Sequence, residues 1–128
     1  MKRTPTKPTP TELSILKILW TRGPSTVREV YDELSKTKPT GYTSVLKIMQ
    51  IMAEKGSVRR NLDQRAHIYE ADQPQEQTKG QLVRDLIERA FSGSASQLVM
   101  HALADKPASR EEIKEIRRIL DDHERGSK

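Results

Sequence analysis

Residues 41–55 read Gly-Tyr-Thr-Ser-Val-Leu-Lys-Ile-Met-Gln-Ile-Met-Ala-Glu-Lys, and the prediction of the fold begins with them. Its apolar residues recur at helical spacing, which predicts a helix with one face buried against a core. The residues of this apolar face are Val45, Ile48, Met49 and Met52. The other face carries hydroxyl, ammonium and amide groups, which hydrogen-bond base edges and phosphates without a metal. The residues of this polar face are Thr43, Ser44, Lys47 and Gln50.

Taken alone, such a helix is most often a surface helix with a solvated outer face, so the flanking sequence decides its role. Two helices are predicted before it. Thr9-Pro10 with Glu12 reads as a capping box that opens the first helix, and residues 23–24, Gly-Pro, end it. Ser25 or Thr26 caps the second, with Glu29 completing the box after Thr26. The predicted buried positions are Leu13, Leu16, Leu19 and Trp20, then Val27, Val30, Tyr31 and Leu34.

After Gly56, a predicted helix end, the apolar period changes from helical to alternating. Residues 57–62 and 66–71 alternate as strands do, and the polar residues 63–65 join them in a turn. Three helices followed by a basic hairpin is the order of a winged helix-turn-helix, in which the third helix enters the DNA major groove and the wing touches flanking backbone. The polar face of residues 41–55 therefore becomes a candidate reading surface.

Positive charge is concentrated in the first half of the chain, whose 128 residues carry a net +5. Residues 1–71 contain thirteen Lys and Arg against seven Asp and Glu, whereas residues 72–128 contain ten against eleven. A basic module joined to a nearly neutral one is the pattern expected of a protein that binds double-stranded DNA.

Composition also argues against several classes of protein. No apolar run exceeds three residues and there is no cysteine, so we expect no membrane-spanning segment, no disulfides and a cytoplasmic location. The three histidines are far apart in sequence, and neither a glycine-rich phosphate loop nor a Ser-His-Asp arrangement can be built. We therefore expect neither an enzyme nor a metal or cofactor site.

The second half predicts three more helices, interrupted at residues 92–94 and 105–107, with Ser109 capping the last. Short helices of this kind are marginal alone, so pairing with a second copy is favoured over a compact intrachain bundle. The predicted dimerisation residues are Leu82, Leu86, Ile87, Leu98, Val99, Leu103, Ile113, Ile116 and Leu120. The predicted fold is mainly α with a small β-hairpin: a flexible basic arm at residues 1–8, a winged helix at 9–72 and a helical dimerisation domain at 73–128.

Several blocks of the chain resemble signature blocks of the BlaI/MecI-type penicillinase repressor family, in order and at compatible spacing over residues 9–120. The blocks are Glu12-Leu13 through Leu19-Trp20, Thr26-Val27-Arg28-Glu29-Val30, Tyr42-Thr43-Ser44-Val45-Leu46, Glu54-Lys55-Gly56 with Val58-Arg59-Arg60, and Arg65-Ala66-His67-Ile68-Tyr69. The resemblance implies a bacterial repressor that binds a dyad operator as a homodimer. It also implies release through a membrane sensor-protease system that signals cleavage.

The chain departs from the patterns of the family and of its copper-responsive relatives in three respects. The family's cleavage site is an Asn-Phe bond, and the aligned pair here is His101-Ala102, which leaves cleavage and another form of release both open. Ser57 stands where the family commonly places a large apolar residue, so softer packing is expected beneath the wing. The cysteine pairs that bind metal in copper-responsive relatives have no counterpart in this chain.

The candidate DNA-binding residues combine the recognition helix, the start of the second helix and the wing. They are Thr26, Thr43, Ser44, Lys47, Gln50, Arg59, Arg60 and Arg65. Two other functions stay open at this point: a winged helix that binds an acidic protein partner, and a repressor that responds directly to a small ligand. An interaction face would be expected to expose large apolar anchors, for which Leu46 and Ile51 are the candidates.

Overall fold

The computed structural model describes residues 7–63, 65–105 and 107–126. Most of the predicted basic arm, and Gln64 of the predicted turn, lie outside these residues. The elements in chain order are α1 (Pro10–Arg22), β1 (Ser25–Thr26), α2 (Val27–Leu34), α3 (Tyr42–Lys55), β2 (Val58–Asn61), β3 (Ile68–Ala71), α4 (Gln75–Ala90), α5 (Ala95–Asp105) and α6 (Arg110–Gly126). The predicted fold class, mainly helical with a small sheet, is confirmed.

The first two helices begin where their side chains satisfy free backbone groups. Thr9 Oγ1 accepts a hydrogen bond from the Glu12 amide at 3.1 Å, and Glu12 Oε1 accepts one from the Thr9 amide at 3.2 Å. Thr26 and Glu29 form the same reciprocal pair at 3.1 and 2.9 Å, so Thr26 rather than Ser25 caps α2. Both predicted capping boxes are confirmed, because this pattern depends on residues only three apart.

The sheet has three strands in the order β1-β3-β2, one more than the predicted hairpin. β2 and β3 pair antiparallel, with Val58 opposite Ala71 and Arg60 opposite Tyr69. The additional strand, β1, is only two residues long and pairs with the far edge of β3, so that Ser25 lies opposite Tyr69. Because two residues cannot show an alternating pattern, the sequence contained no signal for this strand.

The core of the first unit is formed by α1, α2, α3 and the base of the wing. Its buried apolar residues are Ile15, Leu16, Leu19, Val27, Val30, Leu34, Val45, Met49, Met52, Val58 and Tyr69. The predicted apolar face of α3 is therefore correct at Val45, Met49 and Met52, while Ile48 is half-buried against the core edge. The prediction for α1 was wrong at Leu13, which is only half-buried, because Ile15 occupies the inward position instead.

The chain forms two compact units, of which one ends at Leu82 and the other begins at Val83. In the second unit, none of the described residues of α5 or α6 is buried. Ser109 caps α6, since its Oγ accepts a hydrogen bond from the Glu112 amide at 3.0 Å. In the part of the chain that the structure describes, every helix is too short or too polar to span a lipid bilayer.

Candidate nucleic-acid interface

The outer face of α3 presents the polar residues that the sequence placed there. Thr43, Ser44, Lys47 and Gln50 are all exposed, while the same helix buries its apolar face in the core. The first turn of α3 contains no acidic residue, and its cap, Gly41, has no side chain to cover the helix start. This surface therefore offers hydrogen-bond donors and one cation with no carboxylate beside them until Glu54.

A groove of about 270 Å³ runs between α3, the start of α2 and the wing. On α3 it is lined by Tyr42, Leu46 and Gln50, which are spaced four residues apart and so share one flank of the helix. The wing contributes Arg60 and Arg65, and its polar neighbour His67. None of the described residues that line this groove is acidic. The structure thus brings Gln50, Arg60 and Arg65 together, as three of the predicted DNA-binding residues.

Arg59 lies on the opposite face of the hairpin from Arg60, because neighbouring residues of a strand point to opposite faces. Its guanidinium is 3.5 Å from a carboxylate oxygen of Glu70 and 3.4 Å from one of Asp72. Arg59 also lines a separate depression beside Trp20 rather than the groove. The structure therefore does not bring this predicted residue together with the other wing arginines.

Thr26 lines the groove at the start of α2, but its polar groups already have partners. Its amide donates to Glu29 and its hydroxyl oxygen accepts from Glu29, which leaves only the hydroxyl hydrogen for another molecule. Arg22 lies 3.3 Å from the same Glu29 carboxylate. The capping box therefore limits what Thr26 itself can offer to a phosphate.

Arg28 also lines the groove, although no pattern in the sequence singled it out as a binding residue. Its guanidinium carbon is 5.7 Å from the centre of the Tyr31 ring and 5.9 Å from that of Tyr42. The two rings meet edge to face with their centres 5.8 Å apart. The sequence contains one usable signal, an arginine in the first turn of α2, but the tyrosine contacts depend on the packing of α2 against α3.

The predicted dimerisation residues keep much of their apolar surface exposed. Leu86, Val99, Leu103, Ile113 and Leu120 are between 39% and 61% exposed. The other four predicted residues, Leu82, Ile87, Leu98 and Ile116, are half-buried. A hollow between α5 and α6 is lined by Leu103, Pro107 and Ile116, among other residues.

His101 and Ala102, the pair aligned with the family's cleavage site, lie exposed in α5. The His101 ring is 5.4 Å from the ring of Phe91, measured between centres. Within the described part of the chain, no group of three His, Asp or Glu side chains is arranged to hold a metal ion.

Comparison with known proteins identifies the family. The family model described as penicillinase repressor matches residues 8–122, which is most of the chain. The chain belongs to the penicillinase repressor family. The resemblance inferred from the signature blocks is therefore confirmed.

Individual members of the penicillinase repressor family align along nearly their whole length. The transcriptional regulator BlaI of Mycobacterium tuberculosis is 31% identical, over 90% of this chain and 83% of its own. The penicillinase repressor of Bacillus licheniformis is 24% identical, over 91% of each chain. The methicillin resistance regulatory protein MecI of Staphylococcus aureus (strain N315) is 20% identical, over 85% of this chain and 89% of its own.

A solved structure of a family member shares the fold of the first unit. The solution structure of the DNA-binding domain of the repressor BlaI has a TM-score of 0.51 to this chain and 24% sequence identity. The match covers 59% of this chain and 90% of that domain. The likeness supports the winged-helix assignment of the first unit.

Proposed function

We propose that this protein is a cytoplasmic transcriptional repressor that binds a specific DNA sequence. The observation that carries the proposal is the exposed polar face of α3, which lies beside a groove whose described lining residues include three arginines and no acidic residue. Membership of the penicillinase repressor family supports the same function. Family members are named as repressors and transcriptional regulators, rather than as enzymes.

In this proposal α3 lies in the major groove and the wing lies along flanking backbone. Lys47 and Gln50 contact bases, since an ammonium suits the acceptors of guanine and an amide suits adenine. Thr43 and Ser44 hydrogen-bond bases or phosphates with less discrimination, and Thr26 donates its hydroxyl hydrogen to a phosphate. On the wing, Arg60 and Arg65 line the groove between α2, α3 and the wing, and from there they contact the phosphate backbone of the DNA. Arg59 contributes least, because Glu70 and Asp72 already neutralise it.

The repressor acts as a homodimer on an inverted repeat, with residues 73–128 as the dimerisation domain. The exposed apolar side chains of α4, α5 and α6 support this, because large exposed apolar surfaces usually mark an interface. A two-fold dimer presents two copies of α3, which fit successive major grooves about one helical turn apart. The target is therefore expected to be a dyad operator.

Release from DNA follows a signal from a membrane sensor-protease system, as the resemblance implies for the family. Cleavage in α5 would cut the proposed dimerisation domain and so separate the two recognition helices. His101-Ala102 replaces the family's Asn-Phe pair, so a protease acting here must accept a different bond. Intact-mass measurement of the protein after induction in its host would detect the two fragments, and an uncut chain that has left its operator would exclude cleavage.

The function is tested by mobility shift with fragments of the gene's own upstream region, at two salt concentrations and with a scrambled competitor. We expect preferential binding of one fragment and an affinity that falls steeply as salt rises. Lys47→Ala should weaken that binding, whereas the exposed Lys17 on α1 provides a control variant, Lys17→Ala, with the same charge change. Equal binding of specific and scrambled DNA by the unmodified protein would overturn the proposal, and unchanged binding by Lys47→Ala would remove that residue from the interface.

A further inference from the structure

We propose that the groove between α2, α3 and the wing binds a backbone phosphodiester of the operator, with Arg28 as a phosphate contact held in place by two tyrosine rings. The inference rests on the proposed DNA-binding function and deepens it, since it adds a contact from α2 that neither α3 nor the wing supplies. Nothing in the signature blocks assigns this role to Arg28.

The chemistry of the groove fits an anion. Arg28 lines the groove on the α2 side, and Arg60 and Arg65 line it on the wing side, so the groove has cationic side chains on two sides. The described residues that line it include no carboxylate to compete for them. Its volume of about 270 Å³ accommodates a phosphodiester group with its hydration water. A guanidinium presents several N–H groups in one plane, which matches the paired oxygens of a phosphate.

The tyrosine rings restrict where the Arg28 guanidinium can lie. Both ring centres lie within 6 Å of its central carbon, the range in which a ring face attracts a cation. The rings of Tyr31 and Tyr42 pack edge to face where α2 contacts α3, and this contact restrains both rings. The Arg28 side chain is nevertheless 70% exposed, which leaves its N–H groups open to a ligand. Arg28 is thus positioned before DNA arrives, which lowers the entropy lost on binding.

Asp32 pairs with Arg28 in the structure, with a nitrogen–oxygen distance of 3.6 Å. The pair is exposed on both sides and lies one helical turn apart, so it contributes little energy in water. A phosphate can therefore replace Asp32 as the partner of Arg28 with little loss of free energy. Removing the Asp32 charge should strengthen phosphate binding, and most of that gain should require Arg28.

The test compares Arg28→Gln with Lys17→Gln, which removes the same charge from an exposed position on α1 that does not line the groove. Binding of both full-length variants to the preferred upstream fragment and to its scrambled version is measured by anisotropy across a salt series. We expect Arg28→Gln to weaken binding to both DNAs by about tenfold per protomer. The slope of log affinity against log salt should fall by about 0.9 per protomer. Lys17→Gln should change neither quantity appreciably.

Several outcomes would overturn the inference while leaving the proposed function intact. If the unmodified protein prefers its operator and Arg28→Gln matches it in affinity and slope, Arg28 does not contact phosphate. If Arg28→Gln and Lys17→Gln reduce the salt slope by the same amount, the loss reflects net charge alone and the groove has no special role. Failure of the unmodified protein to prefer any fragment is a different result, which overturns DNA recognition itself.

A second pair of variants tests the positioning role of Tyr31, which contacts Arg28 but does not line the groove. Tyr31→Phe keeps the ring and should bind as the unmodified protein does. Tyr31→Leu removes the ring and should weaken binding about threefold with an unchanged salt slope, because the charge on Arg28 remains. Thermal unfolding of both variants reports whether they are folded. Equal affinities of two folded variants would exclude the ring contact as a positioning device.

Discussion

Ser57 follows the glycine that ends α3 and lies at the base of the wing. Gly56 has φ +87° and donates its amide to the Ala53 carbonyl at 3.2 Å, while the Ser57 amide donates to the Met52 carbonyl at 3.0 Å. These two bonds form a Schellman motif, in which the residue after the glycine often makes an apolar contact with the last helical turn. Ser57 instead presents a hydroxyl, which donates to the Met52 carbonyl at 3.2 Å, and lines a small cavity of about 60 Å³.

Replacing Ser57 by valine should raise the free energy of unfolding by about 1 kcal/mol, because each buried methylene-sized group contributes about 0.8 kcal/mol. Urea unfolding of the full chain measures the change. Ser57→Ala is the control, since it removes the hydrogen bond from Oγ to the Met52 carbonyl without filling the cavity. If the alanine variant proves as stable as the valine variant, filling the cavity is not the source of the gain.

At the scale of elements, one ion pair joins the start of α1 to the end of α3. Lys55 Nζ lies 3.0 and 2.9 Å from the two carboxylate oxygens of Glu12. The Glu12 side chain is only 8% exposed and also accepts a hydrogen bond from the Thr9 amide, so these partners replace the water that the carboxylate loses on burial. The same carboxylate therefore serves both the α1 cap and the packing of α3 against α1.

Lys55→Met keeps most of the aliphatic stem but leaves the Glu12 carboxylate buried with one backbone donor. We expect a loss of about 2 kcal/mol in the free energy of unfolding, since unpairing a buried charge costs more than an exposed pair contributes. Lys36→Met breaks an exposed pair with Glu33 and should change stability by less than about 0.5 kcal/mol. If the two variants unfold at the same urea concentration, the Glu12–Lys55 pair contributes no more to stability than the exposed Lys36–Glu33 pair.

Sequence predicted the elements whose signals are local and missed those that depend on distant partners. The helix starts at Thr9 and Thr26 and the end at Gly56 followed from residues within a few positions. β1 was missed because its pairing partner lies more than forty residues away, at Ile68 and Tyr69.

The same distinction applies within the candidate site. The exposed face of α3 followed from helical periodicity alone. Arg59 and Arg60 point to opposite faces of the hairpin, and only the structure shows which of these faces covers the core. It is the face that carries the buried residues Val58 and Tyr69. The role of Arg28 depends on Tyr42, a residue from another helix, so no spacing rule within α2 could reveal it.

At the scale of the whole molecule, we expect the second unit to join two copies of the chain into the proposed dimer. Leu120 of α6 is 61% exposed, and Leu62 at the tip of the wing is 55% exposed, so the two leucines are matched in exposure. Leu120→Lys should raise the dimer dissociation constant at least tenfold, because two copies would bring charge into an apolar interface. Sedimentation measures this across a concentration series. Leu62→Lys should leave the dimer intact, and an equal effect of both changes would remove α6 from the interface.

Dimerisation also predicts how operator spacing affects affinity. If the two copies of α3 are held at a fixed separation by the second unit, both half-sites must face the same side of the duplex. Inserting five base pairs between the half-sites turns one of them by about half a turn, so binding should fall to the level of a single half-site. Leu120→Lys should bind the native and the expanded operator alike, because its protomers bind separately. If the unmodified protein binds the native operator and the operator with the five-pair insertion equally well, the second unit does not hold the two copies of α3 at a fixed separation. Specificity must then come from each half-site alone.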